Sequence, residues 1–154
     1  MRNGEMSEER KIIRVSTAAQ RAGAYYVRIQ TMAVKNNITL EEEIDGHDET
    51  DARHVIILDG VLPVATGRMF PENEEDMQFG RVVVLPEYRH QGLGSRVVRA
   101  LEEWAVELGY RRAVLPSIVD KVEFYEQLGY TGDRNRIIRE EPFDCVFMQR
   151  QLIP

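Results

Sequence analysis

Residues 89–95 read Arg89-His90-Gln91-Gly92-Leu93-Gly94-Ser95, and from Ser95 the chain runs on as SRVVRALEEWAVELG. A helix start exposes backbone N–H groups and carries partial positive charge, so it suits a phosphate. Gly92 and Gly94 permit left-handed angles or a close backbone approach, and they remove side chains that would keep an anion from the amides. Arg89 adds a fixed positive charge at the mouth. The chemistry on offer is capture of a phosphorylated ligand, although the same glycines would also make a tight strand-to-helix turn. Two better-known phosphate loops do not fit. GLGS lacks the third glycine of a dinucleotide fingerprint, and no lysine follows it as in a Walker loop.

Other reactive side chains are sparse. Cys145 is the only cysteine, which excludes an intramolecular disulfide and a cysteine-built metal site. His47, His54 and His90 are scattered without ligand spacing, so no metal is expected. His54 opens an apolar strand and reads as a structural histidine. His90 matters more for its backbone than for its ring. The acidic run from Leu40 to Asp51 would attract a cationic amine, but its dense like charge reads first as a solvated connection.

These groups need elements to hold them. KIIRVS, Lys11 to Ser16, reads as a first strand, and Thr17 caps a helix from about Ala18 to Val34 with Ala22, Tyr25, Tyr26, Ile29 and Met32–Ala33 at helical spacing. HVIIL, 54–58, precedes Asp59-Gly60, a hairpin signal, and Leu62 to Met69 makes the returning strand. A polar turn at 71–76 leads to a strand from Gln78 to Leu85, then a helix from Leu93 to Leu108 with Trp104 in its apolar stripe. A strand from Arg111 to Leu115, a helix from about Asp120 to Leu128 and strands at Arg136–Arg139 and Cys145–Leu152 follow. The passage from Arg81 to Leu115 is a strand–helix–strand crossover, so those two strands are expected to be parallel in an otherwise antiparallel sheet. The order predicts one mixed α/β domain over 1–154, with residues 1–10 expected to be flexible.

Whole-chain properties agree with a globular domain. A formal net charge of −6 argues against a nonspecific grip on nucleic acid, which needs a basic surface. No run of about 18 apolar residues occurs, so no membrane span is expected. The polar N-terminal MRNGEMSEERK lacks the apolar core of a secretory signal, and a cytoplasmic location is expected.

The run RVVVLPEYRHQGLGSRVVRALEEWA resembles the central motif of the Gcn5-related N-acetyltransferase (GNAT) superfamily, whose Q/R-x-x-G-x-G/A pattern is matched by Arg89, Gly92 and Gly94. VEFYEQLGY, 122–130, is similar to that superfamily's late helix and turn, and DGVLPVATGRM to its second and third strands. The resemblance covers about Ile12 to Tyr130. A weaker similarity links YYVRIQTMAVKNNITLEEEID to a bacterial subgroup of uncharacterised members.

The resemblance implies a GNAT-like α/β fold, a mostly antiparallel twisted sheet whose central parallel strands splay apart. It implies transfer of an acetyl group from acetyl-CoA to a primary amine of a small molecule or peptide. Backbone groups of Val82, Val83 and Val84, opposite Ala113 to Leu115, would take pantetheine. Amides of His90, Gln91, Gly92, Leu93, Gly94 and Ser95 would take the pyrophosphate, with Arg89 assisting. Tyr125 matches the tyrosine that acts as general acid toward the departing thiolate, with Phe124 packed beside it. A glutamate is often found on the strand ahead of the pantetheine groups; here Gly80-Arg81 stands there, and no base is assigned. Leu115-Pro116-Ser117 likewise departs from the usual polar residue. The missing acid leaves a second reading, an acyl-CoA-binding sensor without turnover. The two late strands offer a route to a homodimer.

Overall fold

The computed structural model describes residues 10–140 and 142–154. Residues 1–9, where flexibility is expected, lie outside the described residues, whereas Arg10 opens the first strand. The elements are β1 (Arg10–Arg14), α1 (Ala18–Arg28), α2 (Leu40–Glu43), α3 (Gly46–Glu49), β2 (Arg53–Asp59), β3 (Leu62–Pro71), β4 (Asp76–Val84), α4 (Leu93–Glu107), β5 (Arg112–Ile118), α5 (Val122–Gln127), β6 (Thr131–Ile138) and β7 (Cys145–Gln151). The strands form a mixed sheet in the order β1-β2-β3-β4-β5-β7-β6, mostly antiparallel with β4 and β5 parallel. The fold is the α/β arrangement expected from the sequence, and the acidic run, expected as a loop or a short helical turn, forms two single-turn helices.

The chain divides into two compact units, one comprising residues up to Arg68 with Arg81–Leu101, the other Met69–Gly80 with Glu102–Pro154. In the first, β1 pairs antiparallel with β2 from Arg10↔Asp59 to Arg14↔Val55. Thr17 caps α1 as expected. Its hydroxyl accepts from the Gln20 amide at 3.1 Å, and the Gln20 side chain accepts from the Ser16 and Thr17 amides at 2.7 and 3.2 Å. The helix then passes through a π-helical turn (Ile29–Ala33) and ends at Asn37 in the left-handed region, φ 55°.

The buried stripe of α1 differs from the apolar pattern. Ala24, Val27, Arg28 and Thr31 are buried, while Ala22 and Tyr26 are exposed. Hydrophobic periodicity counts an arginine as a solvent residue, so a helix that buries a partnered guanidinium is read about one position off.

β2 and β3 join through Gly60-Val61, with Gly60 at φ 63° as the hairpin requires. Residues Val64 to Phe70 of β3 are buried continuously, so both faces are covered. Gly67 makes this possible. A Cβ there would stand 2.4 Å from Val97 Cγ1 and 3.0 Å from Leu101 Cδ1, which shows how closely α4 rides over β3.

In the second unit, β4 and β5 run parallel through Asp76↔Arg112, Met77↔Ala113 and Gln78↔Val114, so Ala113 and Val114 lie opposite Met77 and Gln78, not opposite Val82 to Val84 as expected. Arg112 clamps Asp76 with two hydrogen bonds of 2.8 and 3.1 Å, and the amides of Arg111 and Arg112 both reach the Glu75 carbonyl. β5 extends to Ile118, past the expected end at Leu115, because β7 pairs with all of it from Arg112↔Gln151 to Ile118↔Cys145. Pro116 lies beyond the last β4–β5 pair, so on that side its missing N–H removes no ladder bond. β6 begins at Thr131, earlier than expected, and the closing strand β7 inserts between β5 and β6.

The fit at Gly67 predicts that Gly67→Ala destabilises the protein by about 1–3 kcal/mol, because the Val97 side chain is stiff in a helix. The opposing entropic gain, about 0.4–1 kcal/mol, is smaller. A fall in urea midpoint, partly restored by adding Val97→Ala, is the expected result.

Candidate active site

The first unit carries the glycine loop. At the end of β4 the Leu85 amide donates to the Val64 carbonyl at 2.8 Å, fixing where Val82–Val84 stop. A single 3₁₀ turn (Pro86–Tyr88) leads to Arg89 in an extended conformation. The backbone then enters the left-handed region twice, at His90 (φ 63°) and Gly92 (φ 77°). For a non-glycine residue such as His90 this conformation costs about 1–2 kcal/mol. No atom lies within 4 Å of a Cβ built at Gly92, so there glycine answers to backbone angle rather than to crowding. The Arg96 amide donates to the Gly92 carbonyl at 3.1 Å, making Gly92 the cap of α4. By helix geometry the N–H groups of Leu93, Gly94 and Ser95 therefore lack partners inside the helix.

Two arginines attend this loop. Arg89 turns back so that its Nε donates to the Val84 carbonyl at 3.3 Å, with the side chain exposed. Arg10, which sequence reasoning passed over, donates from Nη1 to Gln91 Oε1 at 2.6 Å. It also pairs with Asp59 at 3.5 Å and stands 5.6 Å from the Tyr88 ring centre. It reaches the loop because the β1–β2 register puts Arg10 opposite Asp59.

Tyr125 lies in the second unit, on α5. This helix ends in a Schellman motif built by the expected stop at Gly129, φ 99°. The Tyr130 amide donates to the Tyr125 carbonyl and the Gly129 amide to the Glu126 carbonyl, both at 3.0 Å. That closure lays the Tyr130 ring edge-on to Tyr125, centroids 5.7 Å apart, while Phe124 packs on it at 4.9 Å. Tyr130 is anchored in turn, its hydroxyl donating to Glu102 Oε2 at 2.7 Å and Arg150 standing 3.2 Å from Glu102 Oε1. Tyr125 is 5% exposed, and no described residue hydrogen-bonds its hydroxyl. Burial pushes the phenol well above its ordinary range, so it holds its proton at neutral pH.

The acidic run corrects an expectation. Glu43 and Asp48 are buried within the first unit, not solvated. Arg28, fully buried, donates from Nε to Glu43 Oε2 at 2.9 Å, and from Nη1 and Nη2 to the two Asp48 oxygens at 2.7 and 3.0 Å. Its Nη2 also meets the Glu43 carbonyl at 2.5 Å, and its Nη1 lies 3.0 Å from His54 Nε2. Arg68 grips Asp45 through two bonds of 2.8 and 3.1 Å. Arg81, φ 52° in the middle of β4, reaches Glu43 and Asp45. Glu42 and His47 stay outside this cluster: Glu42 completes a capping box with Thr39, and His47 pairs with Asp51 at 2.8 Å.

The charges follow from these contacts. Burial raises Asp48, but the Arg28 hydrogen bonds outweigh it and hold the carboxyl well below its usual range. Asp45 is likewise held low, burial being overcome by Arg68. His54 is the structural histidine expected: burial, joined by the Arg28 guanidinium, pulls its ring down to about 3. Among the described residues no group of three or more His, Cys, Asp or Glu side chains is arranged to hold a metal ion, and no helix is long and apolar enough to cross a membrane.

Residues 17–130 match the family model for the acetyltransferase (GNAT) family. The chain is 30% identical over 133 residues to the uncharacterized N-acetyltransferase YjcF of Bacillus subtilis (strain 168), covering 86% of this chain and 90% of that protein. The crystal structure of a candidate N-acetyltransferase from Lactobacillus plantarum superposes with a TM-score of 0.87 at 30% identity, over 94% of this chain and 99% of that one. An aminoglycoside 6'-N-acetyltransferase complexed with coenzyme A shares the fold, with a TM-score of 0.74 at 16% identity over 94% and 98% of the two chains.

His54 sets an acid limit on stability. An unfolded imidazole takes up its proton near pH 6.5, whereas folded His54 refuses it until about pH 3. Stability is therefore present above pH 6.5 and falls as pH drops through that window, by up to about 1.4 kcal/mol per pH unit. Asp48 adds a loss of the same sign at lower pH. His54→Gln should flatten the slope of urea-unfolding free energy between pH 6 and 4; an unchanged slope assigns the acid sensitivity elsewhere.

Proposed function

The chain belongs to the acetyltransferase (GNAT) family, and from that premise we propose that it transfers an acetyl group from acetyl-CoA to a primary amine of a small molecule or peptide. The observation that carries the donor half is the double left-handed kink at His90 and Gly92 ahead of α4. It leaves the amides of Leu93, Gly94 and Ser95 without helical partners, and an anion at that point gains both hydrogen bonds and the helix dipole. Amides from His90 or Gln91 through Ser95 hold the pyrophosphate, and Arg89 contributes charge. Val82, Val83 and Val84 offer main-chain groups to pantetheine, while the Val82 and Val83 side chains are buried.

Tyr125 is the proton donor in this reading. A neutral amine attacking the thioester carbonyl forms the C–N bond as the C–S bond breaks; the leaving thiolate takes the phenol proton, and the proton shed by the new amide nitrogen passes through water to restore the phenol. A tyrosine kept neutral by burial suits that step, since it is fully protonated when needed. The chain supplies no evident base on β4. Asp45, held low by Arg68, is a weak proton acceptor, so the proton of the incoming ammonium leaves through water. The second reading, a module that binds acyl-CoA without turnover, draws on Gly80-Arg81 standing where an acid is often found.

Release of free CoA in the presence of a panel of amines separates the two readings: tight acetyl-CoA binding with no release on any amine selects the second. Tyr125→Phe should lower kcat by about 100-fold or more while acetyl-CoA affinity changes little. Gly92→Val should abolish acetyl-CoA binding in calorimetry, because valine is strained at φ 77°. Retained affinity in that variant removes the loop from the donor site.

A further inference from the structure

We infer that Arg81 is a carboxylate-recognition residue of the acceptor site, so that the amine this protein acetylates also bears a carboxylate, as an amino acid or peptide does. The inference rests on the acetyl-transfer reading above and on Val82–Val84 as the donor strand.

The partners inside the buried cluster are unequally shared. Glu43 and Asp48 meet Arg28 at 2.7 to 3.0 Å, and Asp45 meets Arg68 bidentately at 2.8 and 3.1 Å. Arg81 receives what remains. Its Nε stands 3.2 Å from Glu43 Oε2, and its Nη2 stands 3.1 Å from the Glu43 carbonyl and 3.4 Å from Asp45 Oδ2. Nη1 has no hydrogen-bond partner among the described residues. The side chain is 27% exposed, against 0% for Arg28 and 5% for Arg68, so Arg81 is the cation of the cluster that solvent reaches.

Its backbone supports a positioned role. Arg81 is the one described residue of β4 with positive φ, 52°, a conformation that is uncommon in a strand and is held in place by surrounding contacts. The residue also directly precedes Val82, so its guanidinium projects from the strand assigned to the donor. Burial and the neighbouring Arg68 charge both weaken its hold on its proton, as befits a cation that its carboxylates satisfy incompletely. The unpartnered Nη1 can donate a charge-assisted hydrogen bond to a carboxylate, which holds it more strongly than a neutral amide would.

The test uses L-amino acids and dipeptides, each paired with its own carboxamide, and follows CoA release in the full-length enzyme. The amide's less basic amine is more readily neutral, so simple nucleophile supply favours the amide. Wild-type enzyme should nevertheless show kcat/KM higher for the free acid by about tenfold or more. Arg81→Gln should bring the acid-to-amide ratio close to one, and Arg81→Lys, which keeps the charge without the fork, should fall between; circular dichroism checks folding in each. Amides turned over as well as acids by the wild type, or a variant that lowers both equally, overturns the assignment and leaves acetyl transfer standing. No CoA release with any acceptor overturns the transfer reading and this assignment together.

Discussion

A guanidinium with no solvent exposure governs much of the first unit. Arg28 cannot shed its proton, and leaving it unpaired in the interior would cost several kcal/mol. Carboxylates must therefore come to it. Glu43 and Asp48 do so, and because they sit only five residues apart, the chain between them must turn tightly. Asp45 meets that need as the cap of α3, accepting from the His47 and Asp48 amides. What a count of charges presents as a repelling run is thus a folded clasp. The same pairing keeps His54 neutral, since a second cation beside Arg28 would reverse the balance.

The glycine loop and the tyrosine helix show two ways in which left-handed residues direct a helix end. In the loop, left-handed residues at His90 and Gly92 turn the chain into α4, whose first amides lack helical partners. On α5 the same kind of residue, Gly129, ends the helix and delivers Tyr130 onto Tyr125. The Glu102 carboxylate then fixes Tyr130 by its hydroxyl. The sequence FYEQLGY accordingly encodes more than an aromatic pair. Tyr125 supplies the hydroxyl proposed as proton donor, Gly129 the turn, and Tyr130 a ring packed edge-on against it.

The architecture was largely legible because it is written in local signals. Thr17 announces a helix cap, Asp59-Gly60 a hairpin, and the crossover through α4 a parallel pair. Arg28 was not legible, because its partners come from α2, α3 and β2 and no periodicity links them. His90 was recognised as part of the loop but not as a left-handed residue, since a histidine carries no mark of that angle. Arg10 reaches Gln91 through strand register, which depends on a pairing between segments about fifty residues apart. Local grammar was read correctly, and long-range electrostatics were not.

In the proposed transfer reading, Arg81 bears on the acceptor's chemistry in a second way. An acid at this point of β4 would draw a proton from an ammonium group, whereas a guanidinium cannot. Its charge is offset by Glu43 and Asp45 delivered from α2 and α3, so the strand gains a cation without building a strongly positive field. An amine approaching here meets little net repulsion but finds no strong proton acceptor, since Arg68 keeps Asp45 in its charged form. The nucleophile must then be neutral on arrival. For acetyl transfer at neutral pH that requirement favours acceptors whose amines are least basic, such as peptide N-termini with reference values near about 8, over side-chain amines near about 10.4. An unpartnered Nη1 for a carboxylate and no base for an ammonium are two consequences of Gly80-Arg81 standing where an acid is often found.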